Sequence, residues 1–193
     1  AEASHYAGFG APSLSPGLPR PASELKIIEV GTGTGCLIGS LLHEVPTLHA
    51  TATDISPEAL QVAKQNLYTI GVLPRCTLTQ TNLLDGINGP FHLILSNPPY
   101  ISQTEYNELD PSVKNHEPQL ALLAGEDGLS IYRPLILQAS EKLHSGGWLA
   151  LEIGWQQPQA VTTLLQEHKN TWQHIQCIPD FAQRPRTILA QRQ

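Results

Sequence analysis

The chain has 193 residues, 40% of them hydrophobic and 15% charged, which suits one soluble domain with a full core. No apolar run approaches the ~20 residues of a membrane span, and no basic segment followed by an apolar core opens the chain, so neither a membrane anchor nor a signal peptide is expected and the cytoplasm is the expected location. The formal net charge of −6 argues against non-specific binding to a nucleic-acid backbone but leaves a base or a protein side chain open as substrate.

Residues 1–24 contain Pro12, Pro16, Pro19 and Pro21 and read as an extended, linker-like segment. From residue 25 to 193 strands and helices alternate. Lys26–Val30 is a short apolar strand, and Gly31–Gly35 is a glycine-rich turn. Leu37, Ile38, Leu41, Leu42 and Val45 then recur at helical spacing until Pro46. His49–Ile55 reads as a second strand. Ser56 is a natural N-cap for a helix with the stripe Leu60, Ala63, Leu67 and Ile70, and Gly71 is placed to close it. Arg75–Thr81 and His92–Ser96 are the third and fourth strands, followed by a long polar loop to about Asp127. A helix marked by Ile131, Leu135, Ala139 and Leu143 turns at Gly146-Gly147 into the strand Trp148–Ile153. A helix at Gln159–His168 and strands at Trp172–Ile178 and Arg186–Gln191 complete the chain.

This alternation predicts an α/β fold with a mostly parallel sheet covered on both faces. The spacing between the last two strands allows a hairpin but no helical crossover, so the last strand should be antiparallel.

The three cysteines, Cys36, Cys76 and Cys177, lie far apart in sequence and form no Cys-x-x-Cys or Cys/His cluster. They read as reduced, semi-buried thiols, and no metal site is expected. A chain of this length without methionine reads as a piece of a longer protein.

The first chemical signal is Glu29-Val-Gly-Thr-Gly-Thr-Gly35, between the first strand and the first helix. Gly31, Gly33 and Gly35 let the backbone pass close to a ligand at the carboxyl end of the sheet. The spacing is Gly-x-Gly-x-Gly and not the dinucleotide Gly-x-Gly-x-x-Gly. Glu29 would repel a phosphate and attract an ammonium. Asp54 closes the second strand, where a Rossmann sheet offers a carboxylate to ribose hydroxyls. An adenosyl ribose joined to an ammonium group points to S-adenosylmethionine. Asn82, at the end of the third strand, is placed to hydrogen-bond the adenine edge.

The second signal is Ser96-Asn97-Pro98-Pro99-Tyr100, at the end of the fourth strand. Two prolines end ladder bonding and stiffen the loop. The Asn97 side-chain carbonyl and the Pro98 backbone carbonyl become fixed acceptors able to orient one NH₂ group. Their contribution is positioning and electrostatics, with no proton abstraction. Tyr100 offers an aromatic face to a planar substrate group.

Carried by Glu29–Gly35, Asp54–Leu60 with Ala63 and Asn66, and Ser96–Ile101, the sequence resembles the HemK family of protein-(glutamine-N5) methyltransferases. The likeness continues through His116-Glu117-Pro118, Ala121-Leu122, Gly125–Leu129, Gly146-Gly147 and Glu152-Ile-Gly-Trp-Gln-Gln157, and spans about Ser15 to Arg192. It implies a Rossmann-like class I methyltransferase fold with a seven-stranded sheet. It also implies transfer of a methyl group from S-adenosylmethionine to the glutamine of a Gly-Gly-Gln motif in a peptide-chain release factor. By this likeness Gly31, Thr32, Gly33, Thr34, Gly35, Asp54, Leu83 and Asn97 contact the cofactor, and Asn97, Pro98, Pro99 and Tyr100 hold the glutamine. Glu117 is assigned nothing beyond anchoring the long loop.

Three features depart from the family. Pro19-Arg20-Pro21-Ala22-Ser23-Glu24 stands where the family has Pro-Arg-Pro-Glu-Thr-Glu followed by a helix, and here it runs almost directly into the first strand. Asn82 replaces a frequent aspartate. The family's small N-terminal helical domain, which helps dock the protein substrate, is not found in these 193 residues. Asn-Pro-Pro-Tyr alone is shared with adenine-N6 methyltransferases, which predict a basic groove or a recognition domain. A non-catalytic cofactor-binding subunit is the third reading, and the intact Asn97–Tyr100 argues against it.

Overall fold

The computed structural model describes residues 24–168 and 170–193. The Pro-rich reading of the start of the chain, and the part of the family likeness before Glu24, lie outside them. Seven strands form one sheet: β1 (Lys26–Val30), β2 (His49–Asp54), β3 (Cys76–Gln80), β4 (Phe91–Ser96), β5 (Leu143–Glu152), β6 (Trp172–Pro179) and β7 (Pro185–Arg192). Their order is β3-β2-β1-β4-β5-β7-β6. All pairs from β3 to β5 are parallel, while β7 is antiparallel to both β5 and β6. The expected antiparallel last strand is present, inserted between its two neighbours.

Side chains alternate across the strands, so the sheet has two separate cores. On one face Ile28, Val30, Ile94, Leu149, Leu151 and Ile188 pack with Tyr132, Leu135, Ile136 and Ala139 of α6 (Tyr132–Lys142) and with Val161 and Leu165 of α7 (Pro158–Glu167). On the other face Ile27, Ala50, Ala52 and Leu95 pack with Ile38 and Leu42 of α1 (Cys36–Glu44) and with Leu67 of α2 (Pro57–Thr69).

Local chemistry sets the ends of α2. The Ser56 hydroxyl accepts from the Ala59 amide at 3.0 Å, and Pro57 fills the first helical position, where no N–H is needed. At the other end Gly71 takes φ +76°, and the Val72 amide reaches back to the Leu67 carbonyl at 2.9 Å. That is the left-handed glycine close expected from the sequence.

Three expectations need correction. The stretch after β4 is not a plain loop. It contains α3 (Gln103–Glu108), α4 (Pro111–Lys114) and α5 (Gln119–Leu122). Ser102 and Glu105 form a full capping box, and Asp110 caps α4 through the Ser112 amide at 2.8 Å. Second, Gly146-Gly147 is not a turn between elements. It lies inside β5, where the register against β4 shifts between Phe91 and Leu93. Gly146 has φ +79°, and a Cβ on Gly147 would come within 2.9 Å of the His144 carbonyl, so the bulge itself demands glycine. Third, Cys36 is exposed at the start of α1, while Cys76 and Cys177 are half-buried, and all three are free thiols.

No helix among the described residues is long and apolar enough to cross a membrane.

Candidate active site

The sheet order reverses between β1 and β4, and the register pairs Val30 with Ser96. Chains leaving the carboxyl ends of these two strands depart to opposite sides, which opens a crevice at that point. The glycine loop leaves β1 there, and Asn97–Tyr100 leaves β4 beside it. The Ser96 hydroxyl donates to the Val30 carbonyl at 2.7 Å and ties the two departures together.

Within the glycine loop, the Gly31 and Thr32 amides both donate to the Thr53 carbonyl at 2.9 Å, and the Gly35 amide donates to the Thr32 carbonyl at 2.8 Å. Gly31, Gly33 and Gly35 have φ of +71°, +55° and +75°, backbone that L side chains rarely adopt. Their surroundings differ. A Cβ on Gly31 or Gly33 would stand in open space, whereas one on Gly35 would lie 3.1 Å from the Ala63 side chain. Gly35 therefore lets α1 and α2 approach each other, and Gly31 and Gly33 leave room above the loop. The Thr34 carbonyl accepts from Asn66 Nδ2 at 2.9 Å.

Asp54 uses both carboxylate oxygens on backbone. Oδ2 accepts from the Gly33 amide at 2.8 Å and Oδ1 from the Ser56 amide at 3.0 Å. Each oxygen keeps a lone pair for a further donor. Glu29 is 2% exposed and accepts from the Thr32 hydroxyl. Burial pushes its pKa up to about 7, opposed by the Thr32 hydroxyl and the Ile38 amide in the first turn of α1, with a smaller upward push from Asp54. Glu29 is therefore poised to gain from a cation.

Thr53, which the sequence did not single out, is buried between these parts. Its hydroxyl donates to the Leu83 carbonyl at 3.1 Å and lies 3.4 Å from the Glu29 carbonyl. Leu83 has φ +51° and is held by this contact and by the neighbouring Leu84 amide, which donates to Gln138 Oε1 at 2.9 Å. Asn82 does not end β3. It opens a turn two residues beyond Gln80, closed by the Asp85 amide on the Asn82 carbonyl at 3.0 Å, and its side chain is exposed.

In the second loop Asn97 is exposed, Pro98 buried, and Pro99 and Tyr100 half-buried. The Asn97 side chain makes no hydrogen bond to any described residue. Beyond the loop the chain is pinned by the Ile101 amide on the Leu122 carbonyl at 2.9 Å and the Ala124 amide on the Ile101 carbonyl at 2.8 Å. Glu117 does not anchor it. The Glu117 side chain is exposed, and only its amide is engaged, by the Val113 carbonyl. A second missed residue is Gln157, whose Nε2 donates to the Tyr100 carbonyl at 2.9 Å. Its signal was the Gly-Trp-Gln-Gln run after β5, to which the spacing alone assigns no partner.

A cavity of about 200 Å³ lies beside Tyr100, walled also by Ile101, Glu105, Leu109, Trp155 and Gln157. Among the described residues no group of three or more His, Cys, Asp or Glu converges as a metal site would require.

The family model of the methyltransferase small domain matches residues 9–112. A release factor glutamine methyltransferase of Deinococcus radiodurans is 40% identical over 173 residues, covering 90% of this chain and 60% of that protein. One from Cereibacter sphaeroides is 41% identical over 183 residues, covering 89% and 65%. The chain thus spans less than two thirds of the length of these relatives. Among solved structures, a ribosomal protein methylase of Lactobacillus delbrueckii superposes with a TM-score of 0.62 at 25% identity, covering 88% of this chain and 70% of that one. A methyltransferase of Pyrococcus furiosus gives 0.62 at 16% identity, covering 86% and 74%. The fold is that of the class I methyltransferases.

Proposed function

The chain belongs to the methyltransferase small domain family, and on that premise we propose that it transfers the methyl group of S-adenosylmethionine to the side-chain amide nitrogen of a glutamine, the one in the Gly-Gly-Gln motif of a peptide-chain release factor. The observation that carries this reading is the pairing of Val30 with Ser96, which sets the glycine loop and Asn97–Tyr100 side by side at the sheet's switch point. Support for the substrate comes from relatives about 40% identical that bear that activity in their names.

The residues fit the cofactor. Gly31 and Gly33 leave open space where any other residue would place a Cβ. Asp54 keeps lone pairs for ribose hydroxyls, and Glu29 offers a buried carboxylate to the ammonium. Thr32, Thr34, Leu83 and Asn82 complete the cofactor side. S-adenosylmethionine supplies an electrophilic methyl group on a sulfonium when bound. Asn97 Oδ1 and the Pro98 carbonyl accept from the glutamine NH₂ and fix its orientation, with Pro99 stiffening the loop and Tyr100 flanking the amide plane. The work of these residues is orientation and stabilisation of developing positive charge. Release factors act in translation, so the cytoplasm is the place of action, and the formal charge of −6 fits a reading with no direct nucleic-acid contact.

Calorimetric titration with S-adenosylmethionine, followed by mass spectrometry of a Gly-Gly-Gln peptide and an adenine-containing oligonucleotide, tests the reading. Cofactor binding with methyl gain on the glutamine alone is expected. Methylated adenine with an unmodified peptide would replace the reading with the nucleic-acid one, and cofactor binding without transfer to either would leave a binding subunit.

A further inference from the structure

Gly125–Leu129 and Glu152–Gln157 are motifs that the proposed chemistry leaves without a role, and they meet at one side chain. The Gln157 Nε2 donates to the Tyr100 carbonyl at 2.9 Å and to the Gly128 carbonyl at 3.2 Å, while its Oε1 accepts from the Gly154 amide at 3.1 Å. Two partners are acceptors only and one is a donor only, so they fix which way the amide lies. A single side chain thus joins three backbone segments: the loop after β4, the turn before α6, and the turn after β5.

From this we infer that Gln157 is a positioning residue, which sets the conformation of Asn97–Tyr100 through the Tyr100 carbonyl; the inference rests on reading that loop as the one that holds the glutamine.

The loop has few other restraints. Ser96 is fixed in the sheet, paired with Val30 and Leu151. Pro98 and Pro99 have no N–H to offer. Past Ser96, the Tyr100 carbonyl is the first loop group with a hydrogen-bond partner among the described residues. Without the Gln157 bond the segment would be held only at Ser96 and from Ile101 onward.

The neighbours are shaped around the clamp. A Cβ on Gly128 would fall 2.5 Å from the Tyr100 carbonyl and 2.6 Å from Gln157 Nε2, at a φ of +72°. A Cβ on Gly154 would fall 2.8 Å from Gln157 Oε1 and 3.3 Å from the Tyr100 ring. Both glycines are therefore needed for the amide to reach its three partners. Helix formation does not account for the side chain, since Gln157 precedes α7 without any side-chain capping bond. Nor is it buried filler, since it walls the open cavity of about 200 Å³ beside Tyr100.

Three measurements on Gln157→Ala and the isosteric Gln157→Glu test this. With a Gly-Gly-Gln peptide at saturating cofactor, both should lose about tenfold to a hundredfold in kcat/KM at pH 8. Cofactor Kd should stay within threefold of wild type. A carboxylate has no proton for the Tyr100 and Gly128 carbonyls, whereas the protonated acid has one. Because these acceptors bond only the neutral form, they raise the carboxyl pKa, so the rate of Gln157→Glu relative to wild type should rise at least threefold from pH 8 to pH 6. The same ratio for Gln157→Ala should stay flat. A general loss of fold would lower cofactor binding and produce no such rise. Wild-type kcat and KM in either variant, or a flat pH ratio for Gln157→Glu, overturns the inference. Should the wild type itself fail to methylate the peptide, the proposed function fails, and the inference is then decided by hydrogen exchange over residues 97–103. Faster exchange in both variants, by tenfold or more, supports the clamp, and unchanged exchange overturns it.

Discussion

The Gly33 amide donates to Asp54 Oδ2 at 2.8 Å, so one carboxylate at the end of β2 holds the glycine loop that leaves β1. The same group has Oδ1 on the Ser56 amide at the start of α2. Asp54 thus shapes the loop and, with its remaining lone pairs, faces the ribose in the proposed reading. Asp54→Ala removes charge-assisted hydrogen bonds of about 1.5–3 kcal/mol, and cofactor Kd should rise about tenfold to a hundredfold. Asp54→Asn keeps one acceptor oxygen and should fall between. Calorimetric titration measures both, and unchanged affinity in Asp54→Ala would remove Asp54 from the site.

Gly35 and Ala63 make a second pair with a testable cost. Gly35→Ala combines a φ of +75° with a Cβ 3.1 Å from the Ala63 Cβ. Backbone strain of ~1–2 kcal/mol adds to ~1–3 kcal/mol of overpacking. Ala63→Gly alone costs ~1 kcal/mol in mid-helix, but combined with Gly35→Ala it should recover part of the loss. Gly31→Ala meets open space, so it should carry the strain alone and weaken cofactor binding instead. Denaturant melts of the four variants measure the coupling, and strictly additive losses would mean that α1 and α2 do not meet at these two residues.

Glu29 gives a pH dependence. Its pKa rises from 4.5 to about 7 on folding, so the folded chain holds this proton more tightly than the unfolded one. The contribution of this group to stability is then greatest below pH 4.5 and declines as the pH rises to about 7. Glu29→Gln removes the buried charge and keeps an acceptor for the Thr32 hydroxyl. It should match wild type near pH 4 and exceed it by on the order of 3 kcal/mol at pH 8. The same variant should bind S-adenosylmethionine more weakly and lack the tightening of affinity expected of wild type as the pH rises through about 7. Melts at both pH values and titrations across that window provide the check. A variant less stable than wild type at pH 8 would mean that Glu29 is not held as a desolvated acid.

The parts of this site that a single sequence exposes are those whose partners are set by one turn of chain. Gly31, Gly33 and Gly35 announce positive φ, Asp54 closes the second strand, and two prolines after Asn97 end a ladder. The strand order β3-β2-β1-β4-β5-β7-β6 then brings them together at the switch point between β1 and β4, an order that alternation of strands and helices does not by itself specify. The Gln157 contact with Tyr100 spans 57 residues and needs Gly128 and Gly154, whose motifs are visible in the sequence but whose meeting at one side chain is not. Thr53 looks like any β-branched strand residue until its hydroxyl is seen between β1 and Leu83. The short helices after β4 were legible in part. Ser102 and Glu105 carry the capping-box spacing, but with only six residues in α3 the apolar period is too short to read. Asn82 reads from the sequence as the end of the third strand, because β-branched residues continue to Thr81, while the ladder stops at Gln80.

The last prediction concerns Asn97 and the chemistry of the transfer. A glutamine amide nitrogen is a poor nucleophile, since its lone pair is delocalised into the carbonyl, and it is not deprotonated near neutral pH. The site must therefore supply geometry and acceptors for the positive charge that develops as the new bond forms. Asn97 is exposed at the end of β4, its amide is free of hydrogen bonds to the described residues, and it remains neutral while accepting. Asn97→Ala should leave cofactor affinity within a few-fold and lower kcat by about a hundredfold, the usual effect of losing one preorganised hydrogen-bonding group. Asn97→Asp separates the parts of that role. It keeps an acceptor, adds a charge beside the cofactor and removes the NH₂ donor. Retention of more activity than Ala assigns the role to acceptance, and equal loss assigns it to shape and donation. Steady-state rates on a Gly-Gly-Gln peptide at saturating cofactor distinguish the two. A wild-type kcat in Asn97→Ala would mean that the Pro98 carbonyl suffices, and the assignment of Asn97 would be withdrawn.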